Sequence, residues 1–587
     1  MNRLPFYLAC GNLLTNFVSL SILRQDKGRG VVILDRVDYI SKANTFLNGP
    51  EFEKLDTDPT DSFQKYVQRT LLKMKNKFGD SLYKKLYPSS SRPGLYFGLA
   101  KVHKLKDPSA EGAENLPLRP VISNIGTATY EISKYLAELL KPLTKSEYSI
   151  DSTKDFVGKV RNANIPQGYE IVSFDVVSLF TSVPLNYTIE LILDKIYKDK
   201  LIKTKLKRDE MKKLLQICTK EMHFSFNGVL YRQVDGVAMG SPLGPVLANV
   251  FMVELEKTLV PQLDSIALWY RYVDDTFTFI KAGEVENVLE RLNSFHESIK
   301  FTFEKERDDS IAFLDVKVIR NEDGTFSTDI HRKKTDTNIY INWKAFAPKI
   351  WKTGTLKGLV KRAFTICSTE EFRNKEISFL KNVFIKMNGY PSRIVHDTIQ
   401  NVERRMTEET RTPTNAELNA ESAIPESSEA EVIPFICLPY KGKLGEQIVS
   451  RFRDVLKKAL PNNVKPRFAY KGKKLGSFFR LKDKVPVEHQ TDCVYEFLQE
   501  NKTDYVGETK VRFGSRSNEH LFTDKKSAVY KFKNENPQLN ISKEDFRILE
   551  TGFTRKVDRK LAEALYIKDI NPRLNEQVKS WKLSLFN

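Results

Sequence analysis

The sequence predicts an α+β chain of several domains, on three observations. At 587 residues it exceeds what one hydrophobic core usually supports, and 41% apolar residues leave material for roughly two to four cores. Short apolar runs of strand length are interleaved with stretches of helical period. A segment from Glu408 to Pro434, rich in Glu, Ser, Thr, Pro and Ala with few large apolar side chains, reads as a linker.

Each element follows from its residues. Asp26 to Asp35 places a Gly-rich turn before an apolar run, as at the start of a buried strand, without the Walker spacing. Phe52 to Leu86 has helical periodicity and many lysines, the pattern of a solvated helical face. Gly94 to Lys104 and Leu118 to Ser123 are extended runs joined by a polar loop, a hairpin that carries Lys101, His103, Lys104 and Arg119. Tyr130 to Leu143 is helix-like. Glu170 to Phe180 is a buried-strand pattern interrupted by Asp175, and an unpaired carboxylate there is costly unless it meets a metal or a cation. Gly236 to Pro242 is a turn-rich loop that opens a helix, with Leu243, Val246, Leu247, Val250 and Phe251 on one stripe. Ala267 to Ile280 reads as two strands meeting at an acidic turn. Asp274 and Asp275 sit side by side there, and nothing basic is nearer in sequence than Arg271. Ile311 to Ile319 and Phe326 to His331 form a further strand pair, and Thr355 to Phe364 begins a basic helical region.

Beyond the linker, basic and aromatic residues alternate from Lys465 to Arg480, including Lys471, Lys473 and Lys474, as in surfaces that grip phosphates and stack bases. Tyr495 and Tyr505 lie in two short β-type runs that suggest a hairpin. Arg516 and His520 are four apart, so one helical face presents both. A later helix has Val557, Leu561, Ala564 and Leu565 as its apolar stripe and leaves Glu563 off it.

Composition narrows the partner class. Lys and Arg number 94 against 75 Asp and Glu, a net charge of +19 that favours a polyanion, nucleic acid or an anionic surface. The five cysteines are odd in number and scattered, which fits a reducing, intracellular compartment and gives no metal knuckle. Leu4 to Leu23 lacks charge, but its Asn, Thr, Ser, Gly and Pro residues argue against a membrane span.

Nucleotidyl transfer, in which a 3′-hydroxyl attacks an α-phosphate, uses two divalent cations about 3.5–4 Å apart, bridged by carboxylates. Mg²⁺ prefers oxygen ligands, so a few aspartates and substrate phosphates suffice. Asp175 on one strand and Asp274 with Asp275 on a hairpin make such a set, and Phe180 adds a wall on which a ribose can rest.

The order Asp175…Phe180, Gly240-Ser-Pro-Leu-Gly-Pro245, Tyr272-Val-Asp-Asp275 resembles the palm of a reverse transcriptase. The wording around it, Phe174-Asp-Val-Val-Ser-Leu-Phe180 and Arg271-Tyr-Val-Asp-Asp275, is similar to Penelope-like retroelement proteins. The likeness implies a right-hand polymerase in which Asp175, Asp274 and Asp275 ligate two Mg²⁺, Mn²⁺ being the substitute, while Phe180 gates the sugar 2′ position. Lys101 and Arg119 would contact the incoming nucleotide. Cys493-Val-Tyr495…Tyr505-Val-Gly507…Arg516…His520…Glu563 in turn resembles the GIY-YIG nucleases that many such proteins carry, a small α/β unit. By that resemblance Tyr495, Tyr505, Arg516, His520 and Glu563 form a second site. Glu563 would hold one Mg²⁺, Arg512 would support the phosphate, and Asn575 is a weaker candidate. Two departures stand out: Cys493 replaces the first glycine of the nuclease signature, and Met239 precedes Gly240 where many reverse transcriptases have glutamine.

The implied layout is an N-terminal segment and part of the fingers over 1–90, then reverse transcriptase fingers and palm over 91–332. A thumb follows over 333–402, a linker over 403–434, a basic connector over 435–486 and the nuclease over 487–587. The implied activity is an RNA-directed DNA polymerase with an endonuclease that nicks target DNA to prime synthesis. Its partners would be template RNA, primer or target DNA and dNTPs, with no membrane. A homo-oligomer would let it cut both strands, and it would act in the nucleus after synthesis in the cytoplasm. Two alternatives stay open: a group II intron-type reverse transcriptase fused to an unrelated nuclease module, and a degenerate copy that only binds nucleic acid.

Overall fold

A computed structural model describes residues 20–27, 31–105, 115–234, 236–333, 336–410, 433–461, 463–472, 483 and 485–575 of the protein. Lys473, Lys474 and most of the uncharged N-terminal run lie outside the described residues. Among the described residues no helix is long and apolar enough to cross a membrane.

The first strands are β1 (Leu20–Arg24) and β2 (Val31–Asp35), an antiparallel ribbon. The apolar run of β2 is not a buried strand as expected. Val31 and Ile33 face solvent, and only Leu34 is buried, because a two-stranded ribbon has one covered face. The lysine-rich stretch from Phe52 does not begin as helix. It opens with β3 (Phe52–Leu55), and helices Thr60–Lys73 and Asp80–Leu86 follow. The helical pattern was real, but Phe52 to Leu55 finds a partner strand that local period cannot reveal.

β4 (Gly94–Ala100) and β5 (Leu118–Ser123) form the expected antiparallel pair. With β7 (His223–Phe226) and β8 (Val229–Gln233) they build a five-stranded sheet in the order β3-β8-β7-β4-β5. β6 (Tyr169–Val176), β9 (Ile266–Tyr272), β10 (Asp275–Lys281) and β11 (Phe301–Lys305) form the central antiparallel sheet, ordered β11-β6-β10-β9. Both faces of this sheet are covered. One packs with helices Leu185–Tyr197 and Gly244–Leu259 in the largest core, the other with the next sheet and the helices that follow it. Double coverage explains why Thr276 to Ile280 are all buried, without the alternation of a half-exposed strand.

The run from Ile311 to Ile319 is two strands, not one: β12 (Ser310–Phe313) and β13 (Val316–Arg320), joined by a tight turn at Leu314 with φ 57°. β14 (Phe326–Ile330) completes a three-stranded sheet. The basic helix begins at Lys349, behind Pro348, and runs to Ile366. Glu370–Asn382 and Ser392–Thr410 follow, the last continuing past residue 402, where the thumb was expected to end.

The stretch expected as a basic connector contains a β-α-β unit. β15 (Phe435–Pro439) and β16 (Arg467–Lys471) pair in parallel across helix Gly442–Ala459. The C-terminal unit is a three-stranded sheet, β17 (Cys493–Gln499), β18 (Lys502–Thr509) and β19 (Phe546–Thr551), ordered β18-β17-β19 with its own core.

The Gly240 loop ties the five-stranded sheet, through Ile122, to the short helix Leu179–Ser182, through Phe180. Ile122 donates its backbone N–H to the Met239 carbonyl at 3.0 Å, and a Cβ on Gly240, at φ 130°, would stand 2.2 Å from the Ile122 carbonyl oxygen. Gly240→Ala should therefore cost about 2 kcal/mol or more and lower the first thermal transition by several degrees. Gly158→Ala, in a helix where an added Cβ meets nothing within 4 Å, should leave that transition in place.

Candidate active sites

The three aspartates meet at one end of the central sheet. β6 and β10 are in register from Glu170 opposite Ile280 to Val172 opposite Thr278, and carrying that register on sets Asp175 opposite Asp275. The backbone ladder does not continue that far. Instead Thr276, fully buried, accepts from the Phe174 N–H at 2.8 Å and donates to the Phe174 carbonyl at 3.1 Å. A threonine hydroxyl thus takes the place of a strand-to-strand bond and holds the two chains apart just where the acids lie. Asp175 opens to solvent at this mouth while the surrounding walls strip part of its hydration, so it is not sunk in the sheet as its apolar flanks suggested.

β9 and β10 are joined by the two-residue turn Val273-Asp274, with Tyr272 and Asp275 as the closing pair. Val273 has φ 62° and Asp274 is not in the positive-φ region, the pattern of a type II′ hairpin turn. A β-branched residue at such a φ is strained by about 1–3 kcal/mol.

The acids feel one another. Burial and the charges of Asp274 and Asp175 push the Asp275 carboxyl up to about 6, and burial and Asp274 raise Asp175. Lys27 works against both shifts, Lys104 against that of Asp175 and Lys333 against that of Asp275. Arg271 does not neutralise the pair, although it is the nearest cation in sequence. It is 1% exposed and turned to the other side of the turn, where its guanidinium meets Glu256. Among the described residues no group of three His, Cys, Asp or Glu is drawn to a common metal-ligating point. The donor chemistry still fits hard divalent cations: carboxylate oxygens on two splayed strands and a turn, sharing one field.

The cationic hairpin faces this field. Lys101 and His103 feel the charges of Asp26, Lys27, Lys104 and Arg119. Arg119 is held by an ion pair from Nε to the Asp26 carboxylate at 3.1 Å, the Asp26 side chain being 2% exposed. Burial and the Arg119 charge lower the Lys101 pKa, and burial and Lys27 lower that of His103. Sequence reading passed over Asp26 and Lys27, whose only signal was their place in a Gly-rich turn. Phe180, on the short helix Leu179–Ser182, packs beside Gly244, and its carbonyl accepts from the Val237 N–H at 3.0 Å.

The C-terminal unit gathers a second cluster around Tyr495, which is 1% exposed. Its hydroxyl lies 2.6 Å from Nε2 of His520 and accepts from Nε of Arg516 at 3.3 Å. Arg516 sits on helix Phe513–Asn518 and His520 on a π-helical turn, Glu519–Thr523, so the expected single face is kept through a change of helix type. His520 bonds Ser527 through Nδ1. Burial and the Arg516 charge push the His520 pKa down to about 3, so the ring is neutral between two hydroxyls. Tyr505 stands 6.4 Å from Tyr495 ring to ring. A Cβ on Gly507 would lie 2.7 Å from the Tyr495 hydroxyl, which only glycine permits.

Glu563 faces this cluster, since its charge acts on both tyrosines, and burial and Glu508 raise its own carboxyl to about 7. Helix Lys556–Ile570 is rotated relative to the sequence expectation. Val557, Leu561 and Leu565 are exposed, and of the expected stripe only Ala564 is buried. The buried Arg559 explains the rotation: its guanidinium is bound by both Glu508 and Asp492. Arg512, expected to support a phosphate, is 7% exposed with Nη1 on Asp61 at 2.6 Å. Asn575 bridges the backbone of Val506, accepting from its N–H at 2.8 Å and donating to its carbonyl at 2.9 Å. Lys471 is exposed at the end of β16.

Comparison with known proteins adds the following. The reverse transcriptase (RNA-dependent DNA polymerase) family matches residues 115–307, which include Asp175, Phe180, Asp274 and Asp275, and the animal helix-turn-helix domain matches 339–400. The latter falls on the three helices after Pro348, where sequence reading saw only a basic helical thumb. No curated protein matches. Among solved structures, telomerase from Candida albicans in complex with the TWJ fragment of telomeric RNA aligns at 12% identity over 69% of this chain and 70% of that one, TM-score 0.44. Apo telomerase from Candida tropicalis aligns at 11% identity over 67% and 71%, TM-score 0.38. The Sicinivirus 3Dpol RNA-dependent RNA polymerase aligns at 13% over 55% and 71%, TM-score 0.36. The chain carries a reverse transcriptase domain, the domain of an RNA-directed DNA polymerase.

The raised carboxyl of Asp275 has a stability consequence. The folded state binds its proton more tightly than the unfolded chain, so its contribution to stability falls as pH rises from about 4 to about 6. In EDTA, Asp275→Asn should melt above wild type at pH 8, and the difference should shrink toward pH 4.

Proposed function

We propose that the protein is a retroelement polymerase of the Penelope-like type. It copies RNA into DNA at the central sheet and nicks DNA at the C-terminal unit, so that the nick supplies the 3′-hydroxyl to be extended. The observation that carries this reading is the presence, in one chain, of two separate acid-centred clusters of complementary chemistry. One combines Asp175, Asp274 and Asp275 with a cationic hairpin; the other combines Tyr495, Tyr505, Arg516, His520 and Glu563.

At the polymerase centre Asp175, Asp274 and Asp275 would hold two Mg²⁺, or Mn²⁺. Bound there, the cations promote attack by the 3′-oxygen and stabilise the pyrophosphate that leaves. The chain's own residues do the placing. Lys101, Lys104 and Arg119 meet the triphosphate charge, and Asp26 keeps Arg119 in position. Phe180 flanks the sugar and discriminates at its 2′ position. The splay at Thr276 leaves the acids room that a continuous ladder would close.

At the second centre Glu563 would hold one Mg²⁺, which supplies charge neutralisation at the scissile phosphate. Arg516 stabilises the additional negative charge of the pentacoordinate transition state. The neutral His520 holds Tyr495 by hydrogen bond. Lys471, with Lys473 and Lys474 beyond the described residues, would grip nucleic acid, and the +19 net charge supports a polyanionic partner. Template RNA, target DNA and dNTPs are the partners, a second copy would serve a double-strand cut, and the nucleus is the compartment where a genomic target is met.

One assay tests both centres: supercoiled plasmid, added RNA and dNTPs, with nicking and RNA-templated extension read on the same gel. Asp274→Asn should lower extension by about 100-fold or more and leave nicking intact. Glu563→Ala should do the reverse when extension is primed by a supplied 3′-end. Extension that survives Asp274→Asn rules out the polymerase assignment, and nicking that survives Glu563→Ala rules out Glu563 as the metal ligand.

A further inference from the structure

We propose that Arg271 is a positioning residue of the polymerase centre: from behind the acidic turn it fixes the peptide that carries Asp274, and Glu256 fixes Arg271. This rests on the polymerase reading. The turn's central peptide joins Val273 to Asp274, and rotation of that peptide is what interconverts primed turn types. Its carbonyl, Val273 O, accepts from Nη1 of Arg271 at 2.9 Å. The turn has a reason to rotate, because in the type II′ form Val273, at φ 62°, sits in a region that favours glycine, and rotating the peptide toward the type I′ form would carry its ψ into the less strained left-handed region. A bond to that particular oxygen opposes the rotation, and with it a displacement of the Asp274 carboxylate relative to Asp175 and Asp275.

The guanidinium cannot follow the turn if it moves. Nε and Nη2 meet the two oxygens of Glu256 at 2.5 and 3.1 Å, a bidentate pair, and Nη1 also donates to Asn249 Oδ1 at 2.8 Å. Glu256, itself 0% exposed, takes a further bond from Trp269 Nε1 at 3.1 Å. The Arg271 backbone is pinned from the outer side, its N–H donating to the Tyr148 carbonyl at 2.8 Å and its carbonyl accepting from the Ile150 N–H at 2.9 Å. Asn249 and Glu256 both lie on helix Gly244–Leu259, which the Gly240 loop opens. The helix thus sets the turn through one side chain. Lysine has the charge for Glu256 but not the planar fork that spans a carboxylate and a carbonyl at once.

The test is Mn²⁺ binding followed by electron paramagnetic resonance. It uses the full chain carrying Glu563→Ala, which removes the proposed second site, on an RNA template with a dideoxy-ended primer and the matching dNTP. Arg271→Lys, and the double variant Arg271→Gln with Glu256→Gln, which leaves no unpaired buried charge, should each weaken Mn²⁺ binding about tenfold at unchanged stoichiometry. Adding Val273→Gly, which removes the strain, should recover part of the loss in Arg271→Lys. Wild-type affinity in both variants overturns the proposal. So does a fall in the number of sites at unchanged affinity, the signature of a merely structural role. A wild-type chain that binds Mn²⁺ on the dideoxy-ended primer yet, in a parallel reaction, extends no primer ending in a 3′-hydroxyl overturns the polymerase reading alone, because the affinity difference still decides whether Arg271 positions the metal site. A wild-type chain that binds none overturns both.

Discussion

Mutual repulsion among three carboxylates at the end of one sheet is the constraint around which the central part of this protein is arranged. Nothing in the packing of β6, β9 and β10 requires acids there, and burial makes their charge more costly. The surrounding elements offset that cost from outside. Lys27 and Lys104 come from the first ribbon and the hairpin, elements separated in sequence from the acids, so the first sheet and the central sheet are held to each other partly by charge. The one cation adjacent in sequence does not contribute, since Arg271 is committed to Glu256.

The buried pair of Arg271 and Glu256 is a poor device for stability as such, because two buried charges repay their desolvation only with near-complete hydrogen bonding. Here the bonding is near complete, and one of the bonds goes to a strained turn. The same pattern recurs in the C-terminal unit, where Arg559 is buried between Glu508 and Asp492 and thereby turns helix Lys556–Ile570 so that Glu563 looks inward. In both places a buried arginine bound to carboxylates on its own side sits beside the segment that carries an exposed or half-buried acid.

This explains how far the sequence could be read. Strand and helix runs with strong period were legible, because that signal is local, whereas the burial expected of Asp175 from its apolar flanks was not found. The single strand expected from Ile311 to Ile319 failed because Leu314 takes a positive φ that composition does not announce. The parallel pair of β15 and β16 was missed because parallel strands meet across a whole helix. The outward stripe of Val557, Leu561 and Leu565 was misassigned because apolar period was taken to mean core, whereas two ion pairs of Arg559 outweighed it. Glu256 carried a faint signal. Helix Gly244–Leu259 is buried on nearly every side, so a carboxylate within it must have a buried partner, and Arg271 was the nearest basic residue on the next strand.

The Asp275 carboxyl that titrates near 6 bears on more than folding. If a divalent ion is held there as proposed, then at mildly acidic pH it would displace the proton on Asp275, and loading it would be an exchange of charge with a proton released to solvent. Buffering near the acids therefore becomes part of the affinity. Under the proposed metal-binding role, Asp275 would meet a divalent cation against proton competition below about pH 6 and without it above.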